Sequence, residues 1–305
     1  MIIVLSLAPI FLLILLGYAI RKKKIIDDAF WMPAERITYY VFFPSLLISN
    51  IARVDLDFLA LGPMIGAVVS GILIVGGFVI ALRPYITVPN PTFSSIFQGS
   101  IRPNSYVGIA AAVALFGDAG LTLVAIIISI AVPLVNFLSA IMLAHYIPQE
   151  NGATGVRRLI MPVITNPLIL SSMMGIFLNL SGLGLPPVFG PLLDILGKAA
   201  LPVGLLAVGA GLSFKALHGS ATIMLTTSAA KIILLPLVTY LALNAFGVEG
   251  LAASVAVIYA ALPGSPSAYV LARQMGGDSE LMAGLITLTT LAAMVLMPAI
   301  ALMLG

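Results

Sequence analysis

A chain of 305 residues that is 61% hydrophobic and 8% charged, with a mean hydropathy of +1.18, is not a soluble globular protein, because such proteins carry roughly a quarter charged residues. The net charge of +3 comes from short loops and points to no nucleic-acid partner, and the absence of cysteine excludes disulfides, thiolate chemistry and thiol metal sites. Apolar runs of about 20 residues, each long enough to cross a bilayer core as a helix, recur from end to end. The composition predicts an all-α polytopic membrane protein with no separate soluble domain.

In chain order the predicted spans are roughly 3–20, 36–53, 59–82, 94–116, 120–145, 161–180, 192–214, 220–246, 250–273 and 281–304. The first run has its basic cluster, Arg21 to Lys24, behind it. A signal peptide carries that charge in front, so the run is expected to stay as the first helix. The connections "NPTFSS", "FGDAG", "PQENGATG", "LSGLGLPP", "FGVEG" and "QMGGDSE" are turn-like.

Ten spans put both termini on one side. With the N-terminus outside, the cytoplasmic face receives Arg21, Lys22, Lys23, Lys24, Arg36, Arg83, Arg157, Arg158, Lys215 and Arg273, ten of the fourteen Lys and Arg. The outer loops receive Asp55, Asp57, Asp118, Asp194 and Glu249. The positive-inside rule therefore predicts both termini on the outer side of the plasma (inner) membrane. Arg53 and Lys198 lie toward the outside, where Lys198 can pair with Asp194 one helical turn earlier.

The second half echoes the first at an offset of about 160 residues. "PNSYV" (103–107) matches "PSAYV" (266–270), "GDAGL" (117–121) matches "GDSEL" (277–281), and Pro133 matches Pro298. This divides the chain into a first five-helix repeat (1–148), a short cytoplasmic loop (149–160) and a second five-helix repeat (161–305). Five is odd, so the halves enter the membrane in opposite senses, as in many secondary transporters. Spans four and nine are interrupted at corresponding places, by "RPNS" and by "LPGSPS" (262–267). Broken helices persist in a membrane only where buried in protein or facing a watery cavity. The two breaks are therefore expected to cross near mid-bilayer, at 102–105 and 263–267.

The motifs "APIFLLILLGYAIRKKKII", "ITYYVFFPSLLIS", "RPNSYVGIAAAVALFG" and "ALPGSPSAYVLARQMGGD" resemble those of the auxin efflux carrier family, which includes plant auxin exporters and bacterial malonate and malate carriers. The resemblance covers all ten spans. It implies two inverted repeats with helices 4 and 9 crossing at prolines, a fold like that of sodium/proton antiporters and bile-acid symporters, and small organic anions as substrates. It further implies that Pro103 and Pro266 (or Pro263) mark the crossover. Asn104 stands where the family's substrate-contacting asparagine does, and Asn136 matches a polar position in span five facing the same cavity.

Ionisable residues at depth are functional candidates, because burying them is costly. Two lie near mid-depth, Arg102 and Lys231, both cations, and none of the eleven carboxylates falls deep in a span. That asymmetry favours an anionic substrate. The plainer reading has both cations bonding carbonyls freed by the broken helices. Asn166, Ser265, Ser267 and Asn50 are candidates to line the cavity, or polar contacts between helices. An enzyme is disfavoured: there is no HExxH, Walker A or CxxC motif, and "GSPSA" (264–268) lacks the last glycine of a nucleophile elbow. The expected function is secondary transport of a small carboxylate, auxin-like or a dicarboxylate such as malonate or malate, by alternating access. It would be driven by the membrane potential or the anion's own gradient, with a passive anion channel and a proton-coupled uptake carrier as alternatives. Expected partners are the anion and membrane lipid, with no cofactor and no metal; a homodimer is left open.

Overall fold

The computed structural model describes residues 2–53, 58–147 and 166–304, and among them every regular element is a helix. The central loop expected at 149–160 lies outside these residues. Six helices are long and apolar enough to cross a membrane, beginning with α1 (Ile2–Lys22). Its Leu7, Ile10 and Ile14 are buried in the protein while Leu5 and Leu12 stay more than 60% exposed. A helix that is apolar on every side and buries only one suits a lipid surround.

Next come α2 (Trp31–Ile37) and α3 (Phe43–Ile51), joined without a break by a wider π turn over Thr38–Phe42. The cause is local. Pro44 has no N–H and its ring crowds the carbonyl four residues back, so the turn before it loosens. The same device recurs where α9 (Ala221–Ala229) continues through a π turn at Ala230–Leu234 into α10 (Leu235–Ala245), with Pro236 in the second position. Between these lie α4 (Phe58–Ala81), α5 (Asn90–Ile101), α6 (Ser105–Tyr146), α7 (Pro167–Leu180) and α8 (Phe189–Ala210). The chain closes with α11 (Gly250–Ala260), α12 (Pro266–Met275) and α13 (Ser279–Leu304).

The 42 residues of α6 would extend about 63 Å if straight, roughly twice a bilayer core. They are not straight: Gly117 has φ 63° and ψ −149°, a conformation open to glycine but strained for other residues. The predicted turn at "FGDAG" is therefore a kink centred on this single residue.

Helices α1 and α8 meet along small residues. A Cβ on Gly17 would overlap the Leu206 backbone, and one on Gly209 would overlap the Ile14 backbone. Such close backbone approach is how membrane helices gain packing energy when lipid is as apolar as leucine. Arg21 closes this contact at its end, donating from Nη1 to the Ala210 carbonyl at 2.5 Å and from Nε to Asp28 at 2.8 Å.

At the opposite end, Arg53 Nη1 and Nη2 bond both carboxylate oxygens of Asp194 at 2.7 and 3.0 Å, and the Ser49 hydroxyl donates to the same carboxylate. The Lys198 charge expected beside Asp194 acts on the same carboxylate, but the hydrogen bonds go to Arg53, whose planar guanidinium fork matches two carboxylate oxygens as a lysine point charge does not. Asn50 sits at this end too. Its amide donates to Asp118 at 3.3 Å and its oxygen accepts from the Thr122 hydroxyl at 2.8 Å, which ties α3 to α6.

Candidate functional site

Two helices stop and restart in the interior. Helix α5 ends at Ile101 and α6 begins at Ser105; α11 ends at Ala260 and α12 begins at Pro266. The prolines explain the positions: Pro103 supplies no N–H, and Pro266 opens its helix at the first position, where none is required. The two breaks meet. Pro103 and Gly264 form an isolated antiparallel bridge, and the Asn104 N–H donates to the Pro263 carbonyl at 2.9 Å. Each extended segment thus satisfies part of the backbone that the other leaves open, as a water-poor interior demands.

Asn104 is 1% exposed and serves as N-cap of α6. Its Oδ1 accepts from the N–H groups of Tyr106 and Val107 at 3.1 and 3.4 Å. That use of the oxygen leaves Nδ2 as a buried donor with no acceptor. The ring of Tyr106 stacks on Phe43 with centroids 4.8 Å apart and planes within 5°, which fixes the start of α6 against α3.

Arg102 follows the last residue of α5 and is buried. Its Nη2 donates to Asn136 Oδ1 at 2.5 Å, while its Nη1 has no acceptor. The structure therefore brings Arg102, Pro103, Asn104 and Asn136 together, and two of their donor groups remain unused.

On the other strand of the bridge, Gly264 N–H donates to Thr289 Oγ1 at 2.9 Å. Ser265 precedes α12, and its hydroxyl pairs with that of Ser267 at 2.7 Å. Ser265 is buried and Ser267 exposed, so this pair reaches from the crossover to the surface of the helix packing. Lys231, in the π turn of the α9–α10 helix, is fully buried and donates from Nζ to the Ala260 carbonyl at 2.9 Å. It meets the last turn of α11 rather than Asn104 or Arg102. Asn166 is buried but caps α7, accepting from Leu168 N–H at 2.9 Å.

Sequence reasoning missed two residues. Gln98 is fully buried with both amide atoms unpartnered, one turn before Arg102 on the same face of α5. Its signal was a neutral amide inside an apolar run, one turn from a cation. Thr289 anchors the second break, and nothing in its threonine-rich neighbourhood distinguishes it.

Comparison with known proteins accords with this architecture. The family model described as "Membrane transport protein" matches residues 2–301. A protein of Methanothermobacter thermautotrophicus named "Uncharacterized transporter" is 24% identical over 296 residues, covering 96% of this chain and 95% of its own. A Rhizobium meliloti protein named "Putative malonate transporter" is 25% identical over 294 residues, 93% of this chain and 90% of its own. With its breaks meeting inside a bundle of membrane-length helices, the chain belongs to the membrane transport protein family, the auxin efflux carrier-like family that its motifs resemble.

Proposed function

We propose that this protein is a secondary transporter of small carboxylates, which bind at the meeting of the two broken helices. The observation that carries the reading is the pair of buried donors, Arg102 Nη1 and Asn104 Nδ2, that no acceptor among the described residues satisfies. Buried polar groups in folded proteins are almost always partnered, so two unused donors two residues apart in the same break fit a ligand made of acceptors. A carboxylate has two acceptor oxygens and a negative charge that the guanidinium matches. The N-terminal ends of α6 and α12 add partial positive charge to the same region.

In this reading the helices pair into ten crossings. Helices α2–α3 and α9–α10 each form one, α5 with the first part of α6 forms the fourth, and α11 with α12 the ninth. The two halves are inverted five-helix repeats, both termini lie outside, and the membrane is the cell's inner one. The gap beside the crossover, lined by Ile101, Pro103, Leu235, Thr239, Tyr259 and Ala260, is too narrow to hold a water molecule. Substrate entry then requires the crossover region to open to one side at a time. Malonate is the first candidate because the Rhizobium meliloti relative carries that name.

The test is counterflow in proteoliposomes: liposomes loaded with unlabelled malonate and given labelled malonate outside, with mono- and dicarboxylates as competitors. Saturable exchange, inhibited by carboxylates and not by neutral or cationic solutes, is expected. Flux that never saturates would identify a channel instead. No carboxylate exchange at all would overturn the proposal.

A further inference from the structure

We propose that the side chain of Lys231 is a proton-binding site, so that a proton moves with the carboxylate. This rests on the carboxylate reading and adds its coupling ion. The geometry has four parts. First, Lys231 is fully buried, and its one acceptor among the described residues is the Ala260 carbonyl.

Second, no carboxylate among the described residues faces it. The elements packed on its turn are α5 and α13, besides α11, which it bonds, and the two halves of its own span. Helix α5 carries no titratable group; α13 carries only Glu280, in its first turn; α11 carries only Tyr259; α9 and α10 carry only Tyr240 besides Lys231. Helix α4, packed on α10 and α11, carries none. An ammonium has three donors and an amine two with a lone pair, and the single bond to Ala260 serves either. With no ion pair to hold its charge, the group can take up or release a proton without breaking a salt bridge.

Third, unpartnered polar atoms surround the turn. The hydroxyls of Thr227 and Ser228, one turn earlier, and of Tyr259, beside the acceptor, are buried without hydrogen-bond partners. Helices α9 and α5 touch there, since a Cβ on Gly99 would lie 3.2 Å from Thr227 Cγ2. Fourth, Lys231 lies in a π turn, an irregularity that recurs at functional sites.

Lys231 is also linked to the crossover. Ala260 and Tyr259 line the same gap as Ile101 and Pro103, so motion that opens the crossover moves the lysine's acceptor. When a carboxylate binds near Arg102 and Asn104, Nζ takes a proton from water on the open side through its lone pair, forming an N–H bond. After reorientation it returns that proton to water on the other side. One proton then accompanies each carboxylate molecule, so a monocarboxylate moves without net charge and a malonate dianion with one net negative charge, and no redox step is involved.

The experiment uses malonate with reconstituted full-length protein. A pH gradient, acid outside, should drive malonate accumulation by about tenfold per pH unit for each coupled proton, and the lumen should acidify as malonate enters. Arginine stays protonated at any accessible pH. Lys231→Arg should lose gradient-driven accumulation by a far larger factor than it loses malonate counterflow, which needs no release of the proton. Lys231→Gln can still donate to Ala260 but cannot take a proton, so malonate entry should no longer follow the pH gradient. Accumulation in either variant that matches wild type would overturn the proposal, since a proton carried on malonate itself survives the substitution. Wild-type net malonate uptake without acidification of the lumen would overturn it as well, with no reliance on variants. Absence of wild-type counterflow would instead refute the carboxylate reading.

Discussion

In the proposed reading Asn104 has two roles, helix cap and ligand donor, that one substitution can separate. Its Oδ1 caps α6 through Tyr106 and Val107, whereas its Nδ2 has no partner. Its backbone bonds, from N–H to Pro263 O and from O to Gly108 N–H, do not depend on the side chain. Asn104→Ala removes both functions: the cap, worth about 1 kcal/mol, and the free donor, worth about 1.5–3 kcal/mol if it bonds a charged ligand group. Asn104→Asp keeps an oxygen for the cap, which aspartate supplies as well as asparagine. It replaces the donor by an acceptor of like charge to the substrate. The expected result is a lower melting temperature for both, measured in detergent, because Asn104→Ala loses the cap and Asn104→Asp buries a carboxylate. Malonate counterflow at subsaturating substrate should fall roughly tenfold to a hundredfold in both, the affinity equivalent of the lost donor. Wild-type counterflow in Asn104→Asp would show that the free amide is not a ligand. A loss in Asn104→Ala alone, tracking its melting temperature, would reduce Asn104 to a cap.

Arg102→Lys should lose malonate counterflow nearly as fully as Arg102→Gln, because one ammonium cannot both reproduce the bond to Asn136 and present a second planar donor to the ligand; rescue by lysine would show that charge alone matters. Gly209→Ala should lower thermal stability by about 1–3 kcal/mol, the usual cost of overpacking a close contact, because its Cβ would overlap the Ile14 backbone; an unchanged melting curve would refute that contact. A cysteine placed at Gly152 in this cysteine-free chain should react with a membrane-impermeant maleimide only from the cytoplasmic side, as the Lys/Arg distribution dictates. Labelling from outside would invert the assigned orientation.

The membrane class and the places where helices break were legible in the sequence, because both are local effects. Hydropathy acts residue by residue, and Pro103 and Pro266 each remove a backbone donor wherever the chain goes; Pro9 and Pro202 sit inside helices that run on, so it was proline together with polar neighbours at matching places in both halves that marked the breaks. Hydrogen-bond partners are a different matter. A buried polar atom must find an acceptor or donor within about 3 Å, and which one it finds depends on packing between distant segments. Sequence spacing offered Asp194 the charge of Lys198, one turn away on its own helix, which does act on it; the fold added Arg53, 141 residues away, whose fork reaches both oxygens. The fold also joined Asn104 to Pro263 and Gly264 to Thr289, and it took Lys231 to the end of α11 instead of the unused donors near α6. Above all, it left Arg102 Nη1, Asn104 Nδ2 and the amide of Gln98 without partners. Composition determines that such groups lie in an apolar run, but only the packing of neighbouring helices decides which of them remain unpaired.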